Sequence, residues 1–564
     1  MYTLHVFSIW NGIWTFISRM KLWERYVTIA VTSVFGIFIF YVTLLKKEQA
    51  IIRCPYFSSS KPIRINDLAF LIDRKENIKI TDGNGKTPEL TTGGFVEQDL
   101  ILSDVIPVNR NVPDSRHERC KEKDYDLSNE TVSIIIGVYN EWPSILLRTI
   151  YSIITRTTIH FIKEIIIIDD ASTSDFMRYD LARCIEELFS NELIKLIRVE
   201  DRAGILQAKQ TGLQHATADI VVFLDCCVEV NHQWLEPLIH EIQQNRNTVA
   251  LSVIDTINST TFEYSWQEDF PQQQYGFDWS LSTFIIPYRK DTPEQDITQP
   301  YPGIIMTGTS FAVDRKFYYH LGEFDVGMHS SGGSQYIELS WRVWLCGGRL
   351  VHVPCSKIGH IPNQEDTTLD LYNYKRAIEV WMEPNLKQFV YDFYNNLTDL
   401  YAGDLSKQIW KKSRMSCHPF RRYLSNIWPG LLVYNEDVAA WGSVQNILTG
   451  RCLDNHGYLY EGPQDLFAEI CHYKYLIQGF SLTRDGVLIT TLHCVNVAEY
   501  SSSSRPVLEK CLHGSLQKWT HVKRGQIKHV NSKLCLDLDY WGPIMKTCQS
   551  DKLTQQWMFT KYEY

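Results

Sequence analysis

At 564 residues the chain is longer than one hydrophobic core can organise, so two or three domains are expected. The net charge of −9 is modest and not gathered into tails. No basic tract offers the footprint that nucleic acid requires, so that class of partner is excluded.

Residues 1–25 read as a short N-terminal tail. The stretch Tyr26–Leu45, "YVTIAVTSVFGIFIFYVTLL", runs for twenty residues without a charge, enough for a helix to span a hydrocarbon core. Arg19, Lys21 and Arg25 precede it and Lys46 and Lys47 follow, so charge orients it only weakly. No small-residue cleavage site closes the run, which favours a retained single transmembrane anchor over a removed signal. A lumenal remainder agrees with acceptor triplets for N-glycosylation at Asn129, Asn258 and Asn396. Fourteen cysteines without Cys-x-x-Cys pairs suit disulfides better than zinc.

Residues 46–112 mix charge, Gly, Pro and Ser without periodicity and read as a stalk. The next region, 113–430, alternates strands rich in branched residues with amphipathic helical stretches. The strands are "VSIIIGVYN", "EIIIIDD", "LIKLIRVE" and "DIVVFLD"; the helices include "SILLRTIYSIIT" and "GILQAKQTGLQHAT". This order predicts an α/β domain with a mostly parallel sheet buried on both faces. Ligands of such sheets bind beyond the carboxyl ends of the strands, where Asp169, Asp170 and Asp225 line one rim.

Residues 440–562 repeat. Cys452, Cys494 and Cys535 lie 42 and 41 residues apart, and each has a downstream partner, Cys471, Cys511 and Cys548. Each unit closes on a Gln-x-aromatic signature, at Gln478, Gln517 and Gln555. Three such units predict a pseudo-threefold all-β domain with one disulfide per unit.

From about Asp114 onward the sequence resembles the polypeptide N-acetylgalactosaminyltransferase family. The segments that carry the likeness include "SIIIGVYNEWPSILLRTIYSI", "EIIIIDDAS", "RAGILQAK", "WLEPL", "VIDTINSTTFEY", "YGFDW", "RVWLCGG", "IGH" and "AIEVWM", in the family's order. The resemblance implies a Golgi type II membrane protein with a lumenal GT-A-like transferase sheet and a ricin-type β-trefoil lectin. It implies retaining transfer of N-acetylgalactosamine from UDP-GalNAc to Ser or Thr of polypeptides, the step that starts mucin-type O-glycosylation. It also implies disulfides Cys120–Cys355 and Cys346–Cys417, which leave Cys54, Cys184, Cys226 and Cys227 unassigned.

The family holds Mn2+ with an Asp-x-His pair and a later His. Here Asp225 and His360 match, but Cys227 replaces the middle His. A soft thiol suits manganese poorly, so Cys227 either ligates a softer ion or simply packs. Glu229 offers a nearby oxygen whose direction strand alternation leaves open. The family's Glu after a Trp-Gly-Gly run is missing from "MHSSGGSQYIELSWRVW": Ser334 or Gln335 takes its place, and Glu338 matches the next acid. Gln335 and Glu338 are therefore the candidate catalytic positions. The segment "IPNQEDTTLDLY" after His360 is shorter than the family's lid. For the donor nucleotide, Asp170 or its neighbour Asp169, together with Arg202, match family contacts. Gly137 stands where the family has Thr, and Lys209 where it has Arg.

In the trefoil the resemblance points to Asp454 and Asp537 as sugar-binding carboxylates. Asn496 replaces the corresponding Asp of the middle unit. Tyr458, Tyr473, Tyr540 and Trp541 are candidate stacking surfaces. Two functions follow: a working transferase, or a family member without catalysis that reads glycopeptides through its lectin. A transferase using another donor or metal is a third.

Overall fold

The computed structural model describes Cys54 and residues 100–563, apart from 128–129, 190–192, 267–272, 280, 282, 288–295, 330–332, 363–369, 458–462, 473–474, 492, 498, 500 and 513–514. The predicted anchor, Asn129, Tyr458, Tyr473 and most of the shortened lid lie outside the described residues. Among the described residues no helix is long and apolar enough to cross a membrane.

The first domain is built on a ten-stranded sheet. Its main strands are β1 (Val132–Val138), β2 (Ile162–Asp169), β3 (Ile194–Arg198), β4 (Ile220–Leu224), β5 (Val228–Val230), β6 (Thr248–Ile257), β7 (Ser310–Asp314) and β8 (Arg349–His360). They lie in the order β8-β6-β7-β4-β1-β2-β3, with β5 against the end of β8. Pairings among β1, β2, β3 and β4 are parallel, as is β6 with β8, while β7 runs antiparallel between β4 and β6. The sheet is thus mixed on one side of β4.

The isoleucine runs explain its depth. Successive side chains of a strand point to opposite faces, so Ile135, Ile166 and Ile168 join one core while Ile134, Ile136, Ile165 and Ile167 join the other. Every position of β1 and β4 is buried. Helix α1 (Pro143–Arg156) covers one face; α2 (Ile205–His215), α3 (Ser334–Leu345) and α4 (Leu371–Trp381) contribute to the other.

Residues 100–112, read above as the end of the stalk, pack onto this domain. Arg148 of α1 donates to the Ser103 carbonyl at 2.8 Å, and Arg110 donates to Glu229 at 2.9 Å. The aperiodic sequence hid this, because a segment that follows another surface needs no period of its own. Cys54 and Cys184 are bridged as well, so only Cys226 and Cys227 are free thiols. The bridges Cys120–Cys355 and Cys346–Cys417 are present as expected. Asn258 and Asn396 are exposed.

The C-terminal domain carries one disulfide in each of three units: Cys452–Cys471, Cys494–Cys511 and Cys535–Cys548. The repeated glutamine ties each unit together. Gln478, Gln517 and Gln555 are buried, and each accepts from a backbone N–H and donates to a backbone carbonyl of its own loop. The aromatic two residues on, Phe480, Trp519 or Trp557, fills the shared core.

Candidate functional site

Three loops meet beyond the carboxyl ends of β1, β4 and β8. Glu141 follows β1, Asp225, Cys226 and Cys227 follow β4, and His360 ends β8. The chain bends between β4 and β5, which breaks the strand alternation and turns neighbouring side chains towards one place. Thr149 of α1 holds this bend: its hydroxyl accepts from Val228 N at 3.1 Å and lies 2.8 Å from the Cys226 carbonyl oxygen. Pairing of β5 with β8 sets Val228 opposite His360, and Ile361 N donates to the Cys227 carbonyl at 3.1 Å.

The structure therefore gathers Asp225, Cys227 and His360, and it adds two groups that the sequence reading did not assign. Glu141, Cys226 and Cys227 place a carboxylate oxygen and two sulfurs within 4.8 Å of one another, an arrangement able to hold a metal ion. The Cys226 thiol donates to Glu141 Oε2 at 3.2 Å. Burial, and then the charge of Cys227, push the Glu141 carboxyl up to about 7. Hydrogen bonding to Cys226, helped by the His360 imidazole, outweighs burial and pulls the Cys227 thiol down to about 6. The available signal for Glu141 was its place in "VYNEW", just beyond a strand that ends at the same rim.

Asp225 is already engaged. Its Oδ1 accepts from the Lys209 ammonium at 2.9 Å, and Lys209 also donates to the Tyr336 hydroxyl at 3.1 Å. Lys209 is fully buried. Burial works against its charge, yet Asp225 and Tyr336 together hold the ammonium above its ordinary range. Tyr336, in the first turn of α3, lays its ring directly on Gly308. A Cβ at that position would fall 2.2 Å from the ring, and Gly308 has φ +87°. Tyr336 thus packs beside the Lys209–Asp225 pair, directly after Gln335.

The other assigned residues fall into distinct roles. Asp170 accepts from Ala203 N and Gly204 N at 2.8 and 2.9 Å, shaping the turn that starts α2. Asp169 accepts from Ser172 N at 2.9 Å and from Arg198. Arg202 is exposed and lies 3.7 Å above the Tyr139 ring, a cation on an aromatic face at the open rim. Gly137 is buried, and Ile205 occupies the space a side chain would need, so Gly137 presents only backbone.

Glu338 is placed differently from a residue that meets substrate. It is buried, and accepts from Arg342 at 2.7 Å and from the Trp381 indole at 2.6 Å, joining α3 to α4. Gln335 is buried, and its Oε1 has no hydrogen-bond partner among the described residues. Glu229 points away from the thiols, into a buried pairing with Arg110 and Arg148.

In the trefoil, Asp454 accepts from Gln478 at 2.9 Å and from His456 N at 2.7 Å. Asp537 accepts from Lys552 at 2.6 Å and from Gln555 at 3.1 Å. Tyr540 and Trp541 follow Asp537 on the next hairpin turn and are 85% and 79% exposed. In the middle unit the Asn496 amide donates to Glu509 at 2.7 Å.

Comparison with known proteins agrees with this architecture. Residues 133–322 match the model of glycosyl transferase family 2, and residues 440–557 that of the ricin-type β-trefoil lectin domain. Human polypeptide N-acetylgalactosaminyltransferase 13 is 34% identical over 475 residues, which is 81% of this chain and 84% of that protein. Polypeptide N-acetylgalactosaminyltransferase 11 of Xenopus tropicalis is 33% identical, over 78% of this chain and 77% of its own length. Among solved structures, GalNAc-T7 with UDP, GalNAc and Mn2+ superposes with a TM-score of 0.56 at 29% identity, covering 82% of this chain and 88% of that one.

Proposed function

Because the chain belongs to the polypeptide N-acetylgalactosaminyltransferase family, we propose that it transfers N-acetylgalactosamine from UDP-GalNAc to Ser or Thr hydroxyls of polypeptide or glycopeptide acceptors. It does so as a single-pass type II protein of the Golgi membrane, with sheet and trefoil in the lumen. The observation that carries this reading is a likeness that runs continuously through both domains.

Departure of the sugar leaves negative charge on the diphosphate, which a transferase must offset. Arg202, exposed on the Tyr139 ring, is the cation this reading assigns to the donor. Asp170 holds the backbone of Ala203 and Gly204 in place beneath it. A divalent cation is the usual further source of charge in such chemistry. Mn2+, the ion in the GalNAc-T7 structure, prefers carboxylate, imidazole and water. Here Asp225 is tied to Lys209 and a thiol stands in the middle position, so the residues do not suit that ion.

Labelled UDP-GalNAc and Ser/Thr peptides test the proposal. Transfer above background is expected, and Arg202→Ala should lower kcat/KM for the donor by about tenfold or more, the worth of a charge-assisted hydrogen bond. No transfer beside an active relative ends the reading. One observation favours the second reading, a lectin without turnover: Lys209 and Tyr336 close on Asp225 and Gly308.

For the trefoil, Asp454 and Asp537 are the proposed sugar-binding carboxylates, with Trp541 as the platform of the third unit. Trp541 is exposed, so Trp541→Ala should leave the melting temperature unchanged. Glycopeptide binding should weaken by up to about tenfold, the scale of one aromatic stacking contact. Unaltered affinity by titration calorimetry would remove Trp541 from the site.

A further inference from the structure

We propose that Glu141, Cys226, Cys227 and His360 form a binding site for a zinc-class cation, in place of the hard-ion site that the family would have there. The inference concerns metal binding alone and stands whether or not the chain turns over a donor.

The argument begins with the backbone. Two adjacent residues of a strand point to opposite faces, so a Cys-Cys pair in regular structure cannot serve one ion. The bend at 225–227, held by Thr149, removes that obstacle. Both sulfurs and the Glu141 carboxylate come within 4.8 Å of one another, with Cys226 only 3.2 Å from Glu141 Oε2. His360 pairs with Val228 across β5 and β8, and Ile361 N donates to the Cys227 carbonyl, so the His360 imidazole stands beside the Cys227 thiol.

Zinc holds thiolate at about 2.3 Å and oxygen or nitrogen at about 2.0–2.2 Å, so ligand atoms in a tetrahedral site lie roughly 3.3–3.8 Å apart. Cys226 and Glu141, 3.2 Å apart, are near that spacing, the Cys227 sulfur lies within 4.8 Å of both, and side-chain rotation brings these three together with His360 as the fourth ligand from beside Cys227. Two sulfurs, one imidazole nitrogen and one carboxylate oxygen are a borderline-soft set that selects zinc over manganese. The position is sheltered, since Glu141 and Cys227 are 7% and 4% exposed, while Cys226 and His360 are only half-buried and give a path from the rim. On binding, the protons still held by the thiols and by the Glu141 carboxyl pass to solvent and the metal takes their place. Asp225 stays with Lys209 and is not a ligand.

The test uses the purified full-length chain and Co2+ as a spectroscopic substitute for zinc. A 1:1 titration with a near-ultraviolet thiolate-to-cobalt band is expected. Zn2+ should displace the band and Mn2+ should not. Cys226→Ser and Cys227→Ser should each weaken Co2+ at least tenfold and diminish the band. Glu141→Gln, which keeps the side-chain volume, should weaken binding while the melting curve shows the chain folded. The proposal is overturned by a band that survives both cysteine substitutions, or by saturating Co2+ with no thiolate band. It is equally overturned if thiol titration finds no free thiol and the intact mass is two hydrogens light, because Cys226 and Cys227 are then bridged to each other.

Discussion

Asp225→Ala is expected to destabilise the first domain by up to about 4 kcal/mol, before any effect on chemistry is considered. The reason lies in its partner. Lys209 is fully buried, and its ammonium is held by Asp225 at 2.9 Å and by the Tyr336 hydroxyl at 3.1 Å. Asp225 itself is 30% exposed, so its removal strands the buried ammonium at up to roughly 3–5 kcal/mol, the range for a fully buried pair. Replacing both members with apolar groups of suitable size removes that penalty, so Asp225→Ala combined with Lys209→Met should regain most of the loss. The difference between single and double variants, read by chemical denaturation, measures the coupling. A single variant as stable as the parent would mean that Lys209 and Asp225 are not paired in solution. The cycle has a functional use too. Loss of transfer in Asp225→Ala alone would not identify a metal ligand, since unfolding produces the same result. Lys209→Met, by contrast, releases Asp225 while keeping its carboxylate.

What could be read without coordinates follows the range of the interactions. Strands β1, β2 and β4 were legible because an unbroken Ile/Val run satisfies two apolar faces at once, and the carboxyl ends of those strands carry the site. The trefoil was legible because its landmarks repeat, and the buried glutamines give the physical reason that Gln-x-aromatic recurs. The Cys54–Cys184 bridge was not legible: it spans 130 residues and begins in a stretch without periodicity. Nor was the direction of Glu229, because the bend after Asp225 resets which face each residue takes. Pairing of Lys209 with Asp225 joins a helix to a strand end, so no local spacing announces it. The Tyr336 contact was not legible either, since Tyr336 meets Lys209 across 127 residues of sequence. Its ring, packed against Gly308, belongs to the segment that lacks the family's glutamate.

The last expected result is a contribution to the acid limb of stability from one buried residue. His352 lies in β8, is buried, stacks on Tyr301 with ring centroids 5.1 Å apart, and its Nε2 has no hydrogen-bond partner among the described residues. Burial alone pulls its pKa from 6.5 down to about 4. Above pH 6.5 the imidazole is neutral in folded and unfolded chains alike, and the residue adds no pH dependence. Between 6.5 and about 4 the unfolded chain binds a proton that the folded chain refuses, so stability falls as pH falls, and the loss levels off below about 4. The full span amounts to on the order of 3 kcal/mol. Other groups titrate in the same range, and Glu141 runs in the opposite sense: its carboxyl, pushed up to about 7, favours the folded chain as pH falls. The informative quantity is therefore the difference between the parent and His352→Gln, followed by denaturation from pH 7.5 to 4. The substitution should flatten the slope by the amount His352 supplies while leaving the Glu141 contribution in place. Parallel curves for the two proteins would show that β8 opens enough for His352 to meet water. That opening would also loosen the strand that positions His360 at the thiol cluster.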